Sequence, residues 1–284
     1  MLKKIFFAAA LLLASELNAK PVVIASIAPV EYLAKAVGGD KIEVQSLAKG
    51  DVHSYEPKPD DMKAVAKARI FIAAGLEFEE AWIPRFKASA KNLVVVKSDA
   101  KIAKLKEERG EQAEHDEKHE AHADPHVWLN PMLAITMARN ISDALIDMDK
   151  ANKDFYLENF QKLMNDLLAF DESAKNELAG LKNRKFVVYH PAWGYFAAHY
   201  DLEQISIERS GKEPKIDEMA STLKMIKDEN IKVIFADPNR SQKSAQILAS
   251  QTGAKVELLD PLGYNLLENL KIAVGAIKDA NSPK

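Results

Sequence analysis

The chain of 284 residues contains no cysteine. A disulfide framework is therefore excluded, and so are thiol catalysis and a metal site built from thiolates. No cysteine follows the N-terminal segment to carry a lipid, so we expect a protein without a lipid anchor. If this protein binds a metal ion, histidine and carboxylate side chains are the expected ligands.

Patterns typical of several common function classes are also missing. The sequence has no HExxH or GxSxG motif and no glycine-rich phosphate loop, which weakens the case for an enzyme. The formal net charge is −3 and no long basic run occurs, so nucleic acid is not expected as a partner. These absences argue against an enzyme and against a nucleic-acid-binding protein.

Residues 1–19 have the pattern of a secretory signal peptide. Lys3 and Lys4 supply the positive charge, residues 5–14 form an apolar core, and Ala19 is the predicted last residue before cleavage. The apolar core is too short to span a bilayer, which takes about 20 residues. We therefore expect export to the periplasm as a free protein, and we expect a monomer.

Short apolar runs rich in β-formers alternate with amphipathic segments in two sets of four. The runs are residues 22–27, 42–47, 70–74 and 93–98, then 186–190, 202–207, 233–237 and 256–260. Continuous apolar runs are typical of strands buried on both faces, and strand–helix alternation predicts parallel sheets covered by helices. The predicted fold class is α/β, with two lobes that each contain a four-stranded, mostly parallel sheet.

A long helical pattern separates the two sets. Apolar residues recur every three or four positions from roughly residue 150 to 181 without proline, which predicts one connecting helix. Two shorter helices with a break near Asp171 are the alternative. The predicted organisation is a signal peptide (1–19), an N-terminal lobe (20–145), a connecting helix (146–182) and a C-terminal lobe (183–284).

Residues 101–123 contain many charges, no aromatic residue and three histidines, His115, His119 and His122. Such low hydrophobicity predicts a mobile surface loop. Because histidine-rich tracts bind metal ions, the loop could form a weak zinc site. A solvated charged loop with incidental histidines remains the alternative.

Four candidate metal ligands lie in unusual local sequences at or after predicted strand ends. His190 closes the run 186–190 and Asp260 closes the run 256–260, while His53 follows the second strand and His126 precedes the helix cap Asn130. In open α/β sheets, ligands bind beyond the carboxyl ends of the strands. Three imidazoles and one carboxylate suit a borderline-soft divalent ion such as zinc.

Two further acidic residues, Glu208 and Asp237, also lie at predicted strand ends. Either could accept a hydrogen bond from a ligand histidine and so fix its ring. A helix cap or a surface ion pair is the alternative for both. His199 falls on a predicted helix, where we expect a structural or surface role.

The segments HSYEPKPDD (53–61), DPHVWLNP (124–131) and HPAWGYF (190–196), together with DPLG (260–263), resemble those of a known family. In their order and spacing they are similar to the metal-specific solute-binding proteins of ABC uptake transporters, the ZnuA/TroA-like group (cluster A-I). The resemblance covers essentially the whole mature chain. It implies two α/β lobes joined by a long helix, with an ion held between them by His53, His126, His190 and Asp260.

The resemblance also implies a function. The protein would capture Zn²⁺ in the periplasm and deliver it to an ABC permease of the inner membrane and its ATPase subunit. His190 favours zinc over manganese, because manganese-specific relatives carry a carboxylate at the matching position. A manganese-binding protein of the same family is the alternative, and a zinc hydrolase or an adhesin is a more distant one.

Overall fold

The computed structural model describes residues 20–106, 123–208 and 216–281. The predicted signal peptide and the three loop histidines, His115, His119 and His122, lie outside these residues. A strand forms at each of the eight apolar runs. The strands are β1 Val22–Ala25, β2 Glu43–Ser46, β3 Ile70–Ala73, β4 Val94–Lys97, β5 Lys185–Val188, β6 Glu203–Ser206, β7 Val233–Ala236 and β8 Lys255–Leu258. Strands β5 and β8 begin one residue before the predicted run.

The helices fill the connections between these strands. They are α1 Ala28–Gly38, α2 Pro59–Ala66, α3 Glu77–Ser89, α4 Pro131–Met148, α5 Lys153–Ala179, α6 Gly194–His199, α7 Ile216–Asp228, α8 Lys243–Thr252 and α9 Leu266–Asn281, with short 3₁₀ turns at Val127–Leu129 and Lys150–Asn152. None of the helices in the described ranges is long and apolar enough to cross a membrane.

The two sheets have the same topology. Their strand orders are β2-β1-β3-β4 and β6-β5-β7-β8, and every pairing is parallel. The two-lobed α/β fold predicted from the sequence is therefore confirmed. Because all strands of a sheet point the same way, the loops after β2, β5, β7 and β8 each leave from the carboxyl edge of a sheet, which is where ligands bind in such folds.

The pleat of β5 and β7 divides the C-terminal lobe between two cores. Phe186 and Phe235 point into a large core that continues through the N-terminal lobe and the connecting helix, while Val187 and Ile234 point into a smaller core on the opposite face. Successive side chains alternate between faces of a strand. A sheet covered on both faces explains why β7 is apolar at every position and β5 is apolar from Phe186 onward.

Two helix ends follow from local sequence chemistry. The Asn130 side chain accepts hydrogen bonds from the backbone N–H of Met132 and Leu133, at 2.9 and 3.3 Å, and Pro131 occupies the first turn of α4. At the C-terminal end of α1, Gly39 has φ +55°, and a Cβ there would lie 2.8 Å from the Phe155 ring. Gly39 thus permits both the turn and the close approach of α5.

The connecting helix α5 has 27 residues, which corresponds to about 40 Å. It continues through Asp171 without interruption, so the alternative of two shorter helices is wrong. Its apolar face packs against α1 and α4 of the N-terminal lobe and α9 of the C-terminal lobe. The helix is therefore part of the core of both lobes and not a flexible linker.

Asp171 attaches α5 to the C-terminal lobe. Its carboxylate lies 2.6 Å from His199 Nε2 and 2.7 Å from Lys175 Nζ, and only 6% of the residue is exposed. Burial acts to raise the pKa of Asp171, but the hydrogen bonds from Lys175 and His199 outweigh it and hold the pKa below its ordinary value. His199 therefore has the structural role expected from its position on a helix.

We expect Asp171→Asn to destabilise the protein by about 1–3 kcal/mol at pH 7, because charged hydrogen bonds are lost at a buried site. A carboxyl group whose pKa is depressed on folding stabilises the protein above its unfolded pKa of about 3.9, and this contribution is lost as pH falls through the folded value. Urea unfolding at several pH values should show that the difference in unfolding free energy between Asp171→Asn and wild type shrinks below about pH 4. The exposed Glu172 on the same helix gives the control Glu172→Gln, and an equal loss there would contradict the assignment.

Candidate metal site between the lobes

Three histidines from separate parts of the chain meet between the lobes. One ring nitrogen from each of His53, His126 and His190 lies within 4.8 Å of the other two. The ring centroids are 5.5 Å apart for His53–His126, 4.9 Å for His53–His190 and 5.3 Å for His126–His190. An ion placed between the rings is within reach of all three imidazoles.

His53 lies on the loop between β2 and α2. Asp51 holds this loop, because its Oδ1 accepts the backbone N–H of His53 at 3.1 Å and its Oδ2 accepts the Ser54 hydroxyl at 3.2 Å. The His53 Nε2 atom is buried and has no hydrogen-bond partner within the described part of the chain. A buried polar atom without a partner is costly unless something binds it, and a metal ion would do so.

His126 begins the 3₁₀ turn before α4 and is 4% exposed. Asp124 Oδ1 lies 2.9 Å from its backbone nitrogen and 2.7 Å from its ring Nδ1. The carboxylate thereby fixes the ring so that Nδ1 carries the proton and Nε2 is left to face an ion. Asp124 was not among the residues predicted from the sequence.

His190 follows β5 and is 6% exposed. Its Nδ1 lies 2.9 Å from Glu208 Oε2, so the predicted contact between Glu208 and a candidate ligand is present. Glu208 is itself almost fully buried and lies just beyond the end of β6. Here too a carboxylate behind the ring leaves Nε2 available.

The surroundings keep two of the three imidazoles in the neutral form that binds metal ions. Burial lowers the pKa of His53 to about 4, and His126 and Arg240 add to the effect. Burial also holds the pKa of His190 well below its ordinary value, with further contributions from His126, His53 and Arg240. A histidine must be deprotonated to bind a metal ion, so His53 and His190 are in the form that can bind one at neutral pH.

Asp260 is not part of the close histidine group within the residues that the structure describes. Its Oδ1 accepts hydrogen bonds from the Asn239 amide and the backbone N–H of Leu262, both at 2.8 Å. It lies next to the group nonetheless, because His190 and the neighbours of Asp260, Leu259 and Pro261, line one small cavity. Its role as a fourth ligand remains a prediction.

Asp237 lines the same cavity as His190, but its Oδ1 accepts hydrogen bonds from Asn239, at 2.7 Å from the backbone nitrogen and 3.0 Å from the side-chain amide. Burial raises the pKa of Asp237, and the nearby Asp260 adds to the shift. The predicted contact between Asp237 and a histidine is not among these interactions. Asp237 instead orders the loop that carries Asn239, which in turn holds Asp260.

Aromatic residues close the site. The Trp128 ring lies 5.3 Å from the His126 ring, and its indole N–H donates to the Pro261 carbonyl at 2.8 Å. The Tyr195 hydroxyl donates to the Asp124 carbonyl and accepts from the backbone N–H of Leu105, both at 2.8 Å. Both contacts join the N-terminal lobe to the C-terminal lobe beside the histidine group.

The sequence profile of a family described as "Zinc-uptake complex component A periplasmic" matches residues 23–280. The chain belongs to this ZnuA family. The resemblance inferred from the three histidine segments and DPLG is thereby confirmed.

Individual ZnuA relatives match along most of the chain. A putative metal-binding protein of Treponema pallidum (strain Nichols) is 34% identical over 253 residues, which cover 86% of this chain and 80% of the relative. The high-affinity zinc uptake system protein ZnuA of Bacillus subtilis (strain 168) is 30% identical over 279 residues, covering 91% and 86% respectively. A ZnuA crystal structure has a TM-score of 0.87 and 34% identity, over 93% of this chain and 100% of the other.

We expect Asp124→Asn to weaken zinc binding about 10–100-fold, because losing a carboxylate behind a ligand histidine typically costs that much. Competitive titration of the metal-stripped protein against a chelator of known affinity would measure the change. Asp149→Asn is the matched control, since Asp149 also accepts side-chain hydrogen bonds, from Asn152 and Tyr156, but at the start of α5. Equal affinities for Asp124→Asn and wild type would contradict the assigned role.

Proposed function

We propose that this protein captures Zn²⁺ outside the cytoplasm, in the cleft between its lobes, and delivers it to an ABC-type uptake permease. The observation that carries the proposal is the group of His53, His126 and His190. Within the described residues, the buried His53 Nε2 of this group has no hydrogen-bond partner in the protein. The relative from Bacillus subtilis named as a high-affinity zinc uptake protein supports the same reading. The permease would be driven by its cytoplasmic ATPase subunit.

Zinc is the favoured ion because the site is rich in imidazole. Three neutral nitrogen ligands suit a tetrahedral Zn²⁺, whereas Mn²⁺ prefers oxygen ligands and lies near the bottom of the affinity order for divalent metals. Manganese remains the alternative cargo. We place the protein in the periplasm, on the strength of the signal-like N-terminal segment and the description of the family.

The proposal assigns binding rather than catalysis to the site. Catalytic zinc keeps an open position for water and needs a base beside it. Two carboxylates contact rings of the three-histidine group, and both Asp124 and Glu208 lie at the Nδ1 side, which orients the rings. We propose Asp260 as the fourth ligand, reached by a rotation of the side chain or a small movement of its loop.

Competitive calorimetry of the metal-stripped mature chain with Zn²⁺ and Mn²⁺ tests the cargo. We expect tight 1:1 zinc binding that is stronger than manganese binding and is lost or greatly weakened in His190→Ala, because one of three imidazoles is removed. His199→Ala is the matched control, since this histidine lies in the same lobe and contacts Asp171 instead. Tighter manganese binding would assign a manganese importer, and weak zinc binding unaffected by His190→Ala would refute the proposal.

X-ray absorption of the zinc-loaded protein tests the fourth ligand. We expect three nitrogen ligands and one oxygen ligand, and a loss of affinity in Asp260→Asn that exceeds the loss in Asp237→Asn. If Asp260→Ala, which offers no side-chain oxygen, keeps both the affinity and the oxygen ligand, a water holds the fourth position, and the alternative of a zinc hydrolase gains support.

A further inference from the structure

Arg240 is the one arginine in the described residues whose guanidinium forms ion pairs with carboxylates from both lobes. It follows β7 in the C-terminal lobe, three positions after Asp237, and its side chain is 14% exposed.

Its first ion pair is within the C-terminal lobe. Arg240 Nη2 lies 2.5 Å from Glu208 Oε1, while the other oxygen of the same carboxylate lies 2.9 Å from His190 Nδ1. The Glu208 side chain is 3% exposed, and a buried carboxylate needs a paired cation to offset its desolvation. Arg240 therefore fixes the carboxylate that fixes His190.

Its second ion pair crosses to the N-terminal lobe. Arg240 Nη1 lies 3.5 Å from Asp51 Oδ1, the atom that also accepts the backbone N–H of His53. One planar guanidinium thus holds the groups behind two of the three histidines, one from each lobe. The rigid fork of arginine suits such a two-sided contact, and the single ammonium of lysine does not.

We propose that Arg240 is a positioning residue that holds the two lobes together behind the histidine group and thereby slows release of the bound ion. The inference rests on the proposed function of the site. For His53 and His190 to separate with their loops, the contact of Arg240 with Asp51 or with Glu208 must break. A bound ion leaves when these ligands separate, so the guanidinium adds to the barrier for release.

If Arg240 acted only through its positive charge, its removal would slow the release of the ion rather than speed it. The guanidinium repels a divalent cation, so removing its charge would strengthen binding if charge alone mattered. Arg240→Met removes the charge and the fork together, whereas Arg240→Lys keeps the charge and removes the fork. The positioning role predicts faster release in both variants, and a charge effect predicts slower release in the first and little change in the second.

Stopped-flow release of Zn²⁺ from the loaded mature chain into excess chelator tests the inference. We expect the release rate to rise about 10–100-fold in Arg240→Met. Smaller increases are expected in Arg240→Lys and in Asp51→Asn, which can still accept the His53 N–H but loses the charge that pairs with Arg240. Arg184→Met is the matched control, because Arg184 lies in the same lobe and donates its hydrogen bonds to the Tyr200 and Leu178 carbonyls.

The outcomes distinguish a failure of the proposed function from a failure of the inference about Arg240. If the wild-type protein fails to bind zinc tightly, the proposed function is wrong. If it binds zinc and Arg240→Met releases the ion at the wild-type rate, or only as fast as Arg184→Met, the inference about Arg240 alone is overturned. Exchange of the His190 Nδ1 proton, followed by NMR with ¹⁵N-labelled histidine, should accelerate in Arg240→Met and not in Arg184→Met.

Discussion

Each of two buried imidazoles is held by a carboxylate behind its ring, and the arrangement between the lobes depends on these contacts. Asp124 holds His126, and Glu208 holds His190, at 2.7 and 2.9 Å. Burying charged carboxylates is unfavourable unless they are hydrogen-bonded or paired, and imidazole N–H groups supply such partners. The same contacts direct the opposite ring nitrogens towards one another, so the orientation of both rings is set by the protein itself.

The apolar packing around these contacts is continuous across the molecule. One apolar core runs from the N-terminal sheet through α4 and α5 to one face of the C-terminal sheet. Trp128, Tyr195 and Arg240 add polar contacts between the lobes close to the histidines. Protein interiors are close-packed and resist continuous deformation. Such packing favours a small relative tilt of the lobes with local loop movement, and it disfavours a wide opening of one lobe away from the other.

The same backbone turn recurs in the loops of the site. In each case an aspartate Oδ1 accepts the backbone N–H two residues later, which is the geometry of an Asx turn. The four pairs are Asp51–His53, Asp124–His126, Asp237–Asn239 and Asp260–Leu262. In two of them the residue whose N–H is held is a candidate ligand. The D-x-H pattern in the sequence could therefore have identified Asp51 and Asp124, which reasoning from strand ends alone missed.

The sequence by itself determined the eight strands, the long helix and the three histidines, because these follow from local patterns: apolar runs, periodic spacing and compact motifs near strand ends. It also placed Glu208 at a strand end, where it contacts His190. Only the tertiary structure decided which groups lie behind the rings and across the cleft. Arg240 meets Asp51 across 189 positions of sequence, and Asp260 stands beside the histidine group with its Oδ1 already hydrogen-bonded. Contacts of this kind depend on how the two sheets pack across a shared core, and no local pattern encodes that packing.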